Sequence, residues 1–102
     1  MAEYKKITKK DIDFPRYCLF FIRNIQDCIN KNVMDDEEPL ELNVETTYPY
    51  CSDAFDLIVK TFERKGINVN IPSFKISYKF NVKYYTYRWR LRIAKELDDL
   101  PF

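Results

Sequence analysis

Only one glycine, Gly66, and no histidine occur among the 102 residues of this chain. A single glycine leaves no glycine-rich phosphate cradle of the Walker or dinucleotide type, which needs several backbone positions free of a Cβ. The absence of histidine removes the commonest general base near neutral pH, the commonest metal ligand and every Ser-His or Cys-His nucleophile pair. Chemistry on lysine, tyrosine or carboxylate survives, but no spacing gathers those groups. Asp53 and Asp56 lie one helical turn apart, which is also how a helix start is stabilised. The chain is therefore read as a non-enzyme, without a cofactor or a metal.

Charge of one sign and long apolar runs are equally scarce. Seventeen Lys and Arg nearly balance sixteen Asp and Glu, so an electrostatic partner would have to be read by a local patch rather than by the whole molecule. The longest uninterrupted apolar run is Tyr17 to Ile22, and the start, MAEYKKITKK, is charged. Neither a membrane span nor a signal peptide fits, and an intracellular protein without membrane association is expected. The three cysteines, Cys18, Cys28 and Cys51, show no C-x-x-C spacing and are expected as buried small hydrophobes.

What is abundant is aromatic: 17% of residues, within an apolar fraction of 46%. Residues 1–102 are long enough for one domain with one aromatic core and too short for two. Residues 1 to 13 read as a short edge strand or ordered arm. From Pro15, apolar residues Cys18, Phe21, Ile22, Ile25, Cys28 and Ile29 recur at helical spacing, with Leu19 and Phe20 widening the face until it can touch two neighbours. Asn30 and Asn32 are candidate stops. The acidic run Asp35 to Glu38 lacks the spaced ligands of a calcium loop and reads as a solvated connection. After Pro39, Leu40, Leu42 and Val44 alternate with polar residues as in a half-buried strand.

A second helix follows Pro49, with Asp53 and Asp56 near its positive end, Arg64 and Lys65 near its negative end, and Gly66 as a left-handed stop. Ile67, Val69 and Ile71 then alternate up to Pro72, and Phe74, Ile76, Tyr78, Phe80, Val82 and Tyr84 alternate beyond it. Past Tyr84 the apolar parity slips to Tyr87, Trp89, Leu91 and Ile93, which implies a bulge or a tight turn into another strand. Strand is the preferred reading to Ile93, with a short helical end from Ala94.

An offset of 33 residues aligns Tyr17 with Tyr50, Cys18 with Cys51, Ile25 with Ile58 and Pro39 with Pro72. The pattern predicts an α+β fold of two helix-plus-strand motifs, about 15–46 and 49–84, with a C-terminal extension 85–102. An internal pseudo-two-fold is expected to relate them, with one shared core and a groove between the halves. Such pairing also makes a Cys18–Cys51 disulfide conceivable, whereas Cys18 and Cys28 would stand about 15 Å apart on one helix.

The idiom of KISYKFNVKYYTYRWRLRIAKEL, poor in Gly and rich in Lys, Tyr, Ile and Asn, resembles small proteins of the filamentous viruses of hyperthermophilic archaea, those of Acidianus in particular. The resemblance implies a viral accessory protein in the host cytoplasm. It brings no active site with it.

Two functions compete. Tyr48, Tyr50, Tyr84, Tyr85 and Tyr87, with Arg88 and Arg90 beside them, have the composition of a protein- or peptide-binding surface, placed in the groove or on a strand edge. Tyr78 and Trp89 are expected in the core instead. Alternatively, Lys75, Lys79 and Lys83, together with Arg88, Arg90 and Arg92, would share polar strand faces with tyrosines suited to stacking on nucleic-acid bases. Either surface could also serve a homodimer.

Overall fold

The structure, a computed structural model, describes Lys10, residues 12–34 and residues 38–93. Most of the expected arm, the acidic residues 35–37 and the expected helical end from Ala94 lie outside the described residues. Two helices, α1 (Phe14–Lys31) and α2 (Ser52–Glu63), and four strands, β1 (Leu40–Thr46), β2 (Ile67–Val69), β3 (Ser73–Lys79) and β4 (Val82–Ile93), form an α+β fold.

Each helix ends for a local reason. Pro15 sits in the first turn of α1, where its missing N–H costs nothing. Asn32 stops that helix with extended backbone (φ −126°), and its side-chain amide donates to the Cys28 carbonyl at 2.7 Å. The stop is thus a side-chain cap rather than the left-handed turn expected. At the end of α2, Gly66 does adopt φ +81° and donates to the Glu63 carbonyl, a conformation that costs glycine nothing.

The sheet is organised on β4. It pairs antiparallel with β1 along one edge, from Leu40↔Leu91 to Thr46↔Tyr85. Along the other edge it pairs with β2, from Ile67↔Ile93 to Val69↔Leu91, and with β3, from Ser73↔Arg88 to Lys79↔Val82. Tyr85, Tyr87, Trp89 and Leu91 fall on one face and are buried. Both helices cover that face, since Phe21 of α1 and Phe55 of α2 each meet the Tyr87 and Trp89 rings at 5.2 to 5.7 Å. Such centroid spacings, mostly edge-to-face, are where aromatic quadrupoles attract. The opposite face carries no helix among the described residues.

This arrangement alters the expected symmetry. β1 and β2–β3 both run antiparallel to β4, so they are parallel to each other, and their helices share one face. A two-fold axis across the sheet would reverse one strand, and one along the strands would send one helix to the far face. β4 lies between β1 and β2–β3, where a groove was expected. Cys18 and Cys51 are both buried as free thiols.

The strand expected to run from Phe74 to Tyr84 is instead a hairpin. Phe80 and Asn81 form its two-residue loop, with φ of 51° and 64°, the mirror-type turn that matches strand twist and normally calls for Asn-Gly. A two-residue loop exchanges the parity of the faces: Tyr78 opposes Lys83 on one side and Lys79 opposes Val82 on the other. The slip seen beyond Tyr84 is the echo of this turn. Tyr78 shares the face of Phe74 and Ile76 but stands near the hairpin end, 66% exposed, and so outside the core it was expected to join. A phenylalanine held in the left-handed region costs about 1–2 kcal/mol, and Phe80 recovers nothing by burial at 99% exposure. Phe80→Asn combined with Asn81→Gly should therefore raise stability by about 1–2 kcal/mol in urea denaturation, and an unchanged midpoint would contradict the turn assignment.

Candidate functional site

The seven tyrosines and arginines proposed for binding separate into four places. Tyr85 and Tyr87 are 5% and 0% exposed and belong to the core; their odd-numbered parity on β4 points them under the helices. This corrects the expectation that they present contact area. Tyr50 is half-buried, stacked on Phe74 at 5.4 Å and edge-on to Phe55 at 5.3 Å, so most of its ring is committed to packing. Tyr84, Arg88 and Arg90 lie on the helix-free face of the sheet, with the Lys79 ammonium 5.6 Å from the Tyr84 ring centre. Tyr48 stands apart from all of them, beside α1.

Tyr48 is held by an unusual set of buried hydroxyls. The Tyr87 hydroxyl donates to the Tyr48 carbonyl at 2.8 Å, and the Tyr17 hydroxyl donates to the carbonyl of Pro49. The Tyr48 N–H in turn donates to Thr46 Oγ1 at 3.2 Å. Two consecutive carbonyls of the β1–α2 connection are thereby satisfied from the core, which a buried connection requires. Burial pushes the Tyr17 phenol far above the ordinary tyrosine value, with the nearby Tyr87 adding to the shift. Burial raises Tyr87 as well. Both therefore act as permanent donors rather than as acids.

With its backbone fixed, the Tyr48 ring packs on Tyr17 (5.2 Å) and edge-on to Phe20 (5.0 Å). One side of it remains open, onto a concavity of about 510 Å³ lined by Arg16, Leu19, Phe20, Arg23, Asn24 and Tyr48. The floor is apolar and includes Leu19, 46% exposed. The rim carries two guanidiniums; Arg16 has an exposed partner, Asp13, at 3.5 Å. Asn24 is held by donating to the Phe20 carbonyl at 2.7 Å. The width of the α1 apolar face was the sequence signal for this hollow. Leu19 and Phe20 exceed what one helix neighbour can cover, and the excess is the floor of the concavity.

On the helix-free face the two carboxylates of β1 are each engaged. Glu41 binds Arg90 and Glu45 binds Lys79, both at 2.9 Å. Arg90 through its hydrogen bond, and then Arg88 through its charge, hold the Glu41 carboxyl below the usual carboxylate range. Lys83, expected beside Lys75 and Lys79, sits on the other face, 5.3 Å from the Tyr85 ring centre, because the hairpin turn lies between them. Among the described residues no three His, Cys, Asp or Glu side chains gather as a metal site, and no helix is long and apolar enough to cross a membrane. Comparison of the chain with protein-family models, with curated proteins and with solved structures finds no match.

Proposed function

We propose that this protein is a non-enzymatic binding module for a protein or peptide, its ligand a short segment in which an apolar side chain is flanked by carboxylates. The observation that carries this reading is the concavity beside α1: an apolar floor of Leu19, Phe20 and Tyr48 rimmed by Arg16 and Arg23. Aromatic and arginine side chains around a desolvated hollow are the composition of interface hot spots. Tyr48 is rigid before any ligand arrives, so little ordering cost opposes binding. On this reading the ligand lies on the flank of α1 and not in the expected groove between the two units, where β4 runs. β1 ends two residues before Tyr48, and among the described residues it pairs with a strand along one edge alone. A bound segment could extend along that edge by β-augmentation.

The test is selection from a random peptide library on the immobilised protein, followed by calorimetry of the winners. Enriched peptides should carry Asp or Glu beside an aliphatic or aromatic residue. Leu19→Asp, and separately Arg16→Glu with Arg23→Glu, should each weaken them by about tenfold or more, equivalent to about 1.4 kcal/mol. Winners without that signature, or winners indifferent to all three substitutions, would remove this reading.

We also infer that the two helix-strand units arose by duplication and were laid side by side. The 33-residue offset carries Pro39 onto Pro72 and the bounds of β1 onto those of β3, and it pairs the buried Cys18 and Ile25 with the buried Cys51 and Ile58. Sequences of relatives aligned at that offset should draw the two units closer together; units that grow less alike among relatives would count against a common origin.

A further inference from the structure

We infer that the helix-free face of the sheet is a second binding surface, one that takes single-stranded nucleic acid. Strand alternation puts Glu41, Asn43 and Glu45 of β1, Ser73, Lys75, Ser77 and Lys79 of β3, and Tyr84, Thr86, Arg88, Arg90 and Arg92 of β4 on this face. A polar outer face is ordinary in an antiparallel sheet, so polarity alone carries nothing. The distribution of charge is what separates this face from a merely solvated one.

Five cations meet two carboxylates here in a chain whose total charge is +1. Both carboxylates are already engaged, Glu41 by Arg90 and Glu45 by Lys79. Lys75, Arg88 and Arg92 enter no ion pair among the described residues. The face therefore holds uncompensated positive charge at its centre, with the acids spent along its β1 side.

Two shallow hollows open at that centre. One, of about 270 Å³, is lined by Asn43, Ser73, Lys75, Thr86 and Arg88 together with Phe74; the other, of about 240 Å³, by Asn70, Ser73, Arg88 and Arg90 together with Ile71. Neither is lined by a carboxylate. The hydroxyls, amides, guanidiniums and ammonium that line them can all donate hydrogen bonds to an anion. The hollows share Ser73 and Arg88, which makes them neighbours along β4.

The linear array decides between possible polyanions. Arg88, Arg90 and Arg92 follow one another along one strand, about 6.7 Å apart by strand rise. Such a row suits phosphates repeated along a flexible backbone better than an isolated phosphate group. Tyr84 stands further along the same row, half-buried and with a cation beside its ring. A base can stack there while the phosphates lie over the arginines, the combination that sequence-tolerant single-strand binders use. The surface is independent of the α1 concavity, which lies in the helix layer on the other side of the sheet, so the protein would join a peptide partner to a nucleic-acid strand.

Fluorescence anisotropy of a labelled oligothymidylate with the full chain tests this. Binding should be measurable in about 50 mM salt and fall roughly 20-fold by about 200 mM, the loss expected for three phosphate contacts on a single strand. Lys75→Glu with Arg88→Glu should weaken it by at least tenfold, and Tyr84→Ala by several-fold, while Leu19→Asp should leave it unchanged. These face residues are partly or fully exposed, and circular dichroism melting confirms that each variant is folded. The inference is overturned by absence of binding in the low-salt buffer, by face variants that bind like the parent, or by a Leu19→Asp variant that loses the oligonucleotide. It is equally overturned if duplex DNA or heparin competes as well as the single strand, which would reduce the surface to general polyanion attraction.

Discussion

Phe55→Ala should lower stability by about 3–5 kcal/mol, the range for removing a fully buried aromatic ring. Phe55 is 0% exposed and its ring meets those of Tyr17, Phe21, Tyr50, Tyr87 and Trp89, all within 5.9 Å. It is therefore the point where α1, the β1–α2 connection and β4 are tied together. Collapse around the lost ring is hindered because its neighbours are rigid rings with few rotamers. A loss of that size is a large part of the 5–15 kcal/mol that holds a small domain together. Urea denaturation followed by the fluorescence of Trp89, the single tryptophan, reads it directly. Leu57→Ala on the same helix, at a side chain 42% exposed, is the control and should cost well under half as much. Equal losses at the two positions would mean that the aromatic cluster is not the core.

The second large effect is alkaline. Tyr17 and Tyr87 are buried and neutral, and burial raises both phenols above the ordinary value of 10.0. In the unfolded chain they ionise near that ordinary value, so above it the unfolded state binds fewer protons than the folded one. Stability is then fully present below about pH 10 and falls as pH rises, by about 1.4 kcal/mol per pH unit for each phenol. Together they should remove about 2.7 kcal/mol per unit. The Cys18 and Cys28 thiols, raised chiefly by burial, act in the same direction from their own ordinary value of 9.0. Tyr17→Phe with Tyr87→Phe should be the less stable protein at pH 8 by about 2 kcal/mol, because the Pro49 and Tyr48 carbonyls lose their donors. It should then lose stability more slowly, and the two curves should cross near about pH 11. Parallel curves from pH 8 upward would show that these phenols are not the groups being titrated.

Much of this fold could be read from residue spacing, and the failures have specific causes. The helices were legible because their apolar faces repeat at helical spacing and Pro15 and Gly66 mark a start and a stop. That β4 runs as far as Ile93 followed from Trp89, Leu91 and Ile93 keeping parity. The hairpin was missed because its loop is Phe80-Asn81, without the glycine that usually marks such a turn, and because Phe80 and Val82 happen to continue the alternation of β3. That single miss displaced the rest: it put Lys83 with Lys75, and it left Tyr84, Tyr85 and Tyr87 in one group although the first faces away from the helices and the other two lie beneath them. Tyr48 was proposed from its residue type. Its partners Arg16, Leu19 and Arg23 were not, since nothing in the sequence brings residue 48 beside residue 20 except the tertiary packing of Tyr17, Phe20 and Tyr48.

Every strand pair among the described residues includes β4, the last of the described strands. During synthesis, then, β1 emerges without a partner and stays without one until the ribosome has added the residues up to Tyr85, which pairs with Thr46. Even that nearest pair, Thr46 with Tyr85, closes a loop of about forty residues, a long-range contact of the kind that makes folding slow. The short connection at Phe80-Asn81 gives β3 the nearest route onto β4, and that hairpin is the template on which the earlier strands can dock. The molecule is in this sense assembled backwards, its earlier strands waiting on a later one for every partner they have among the described residues.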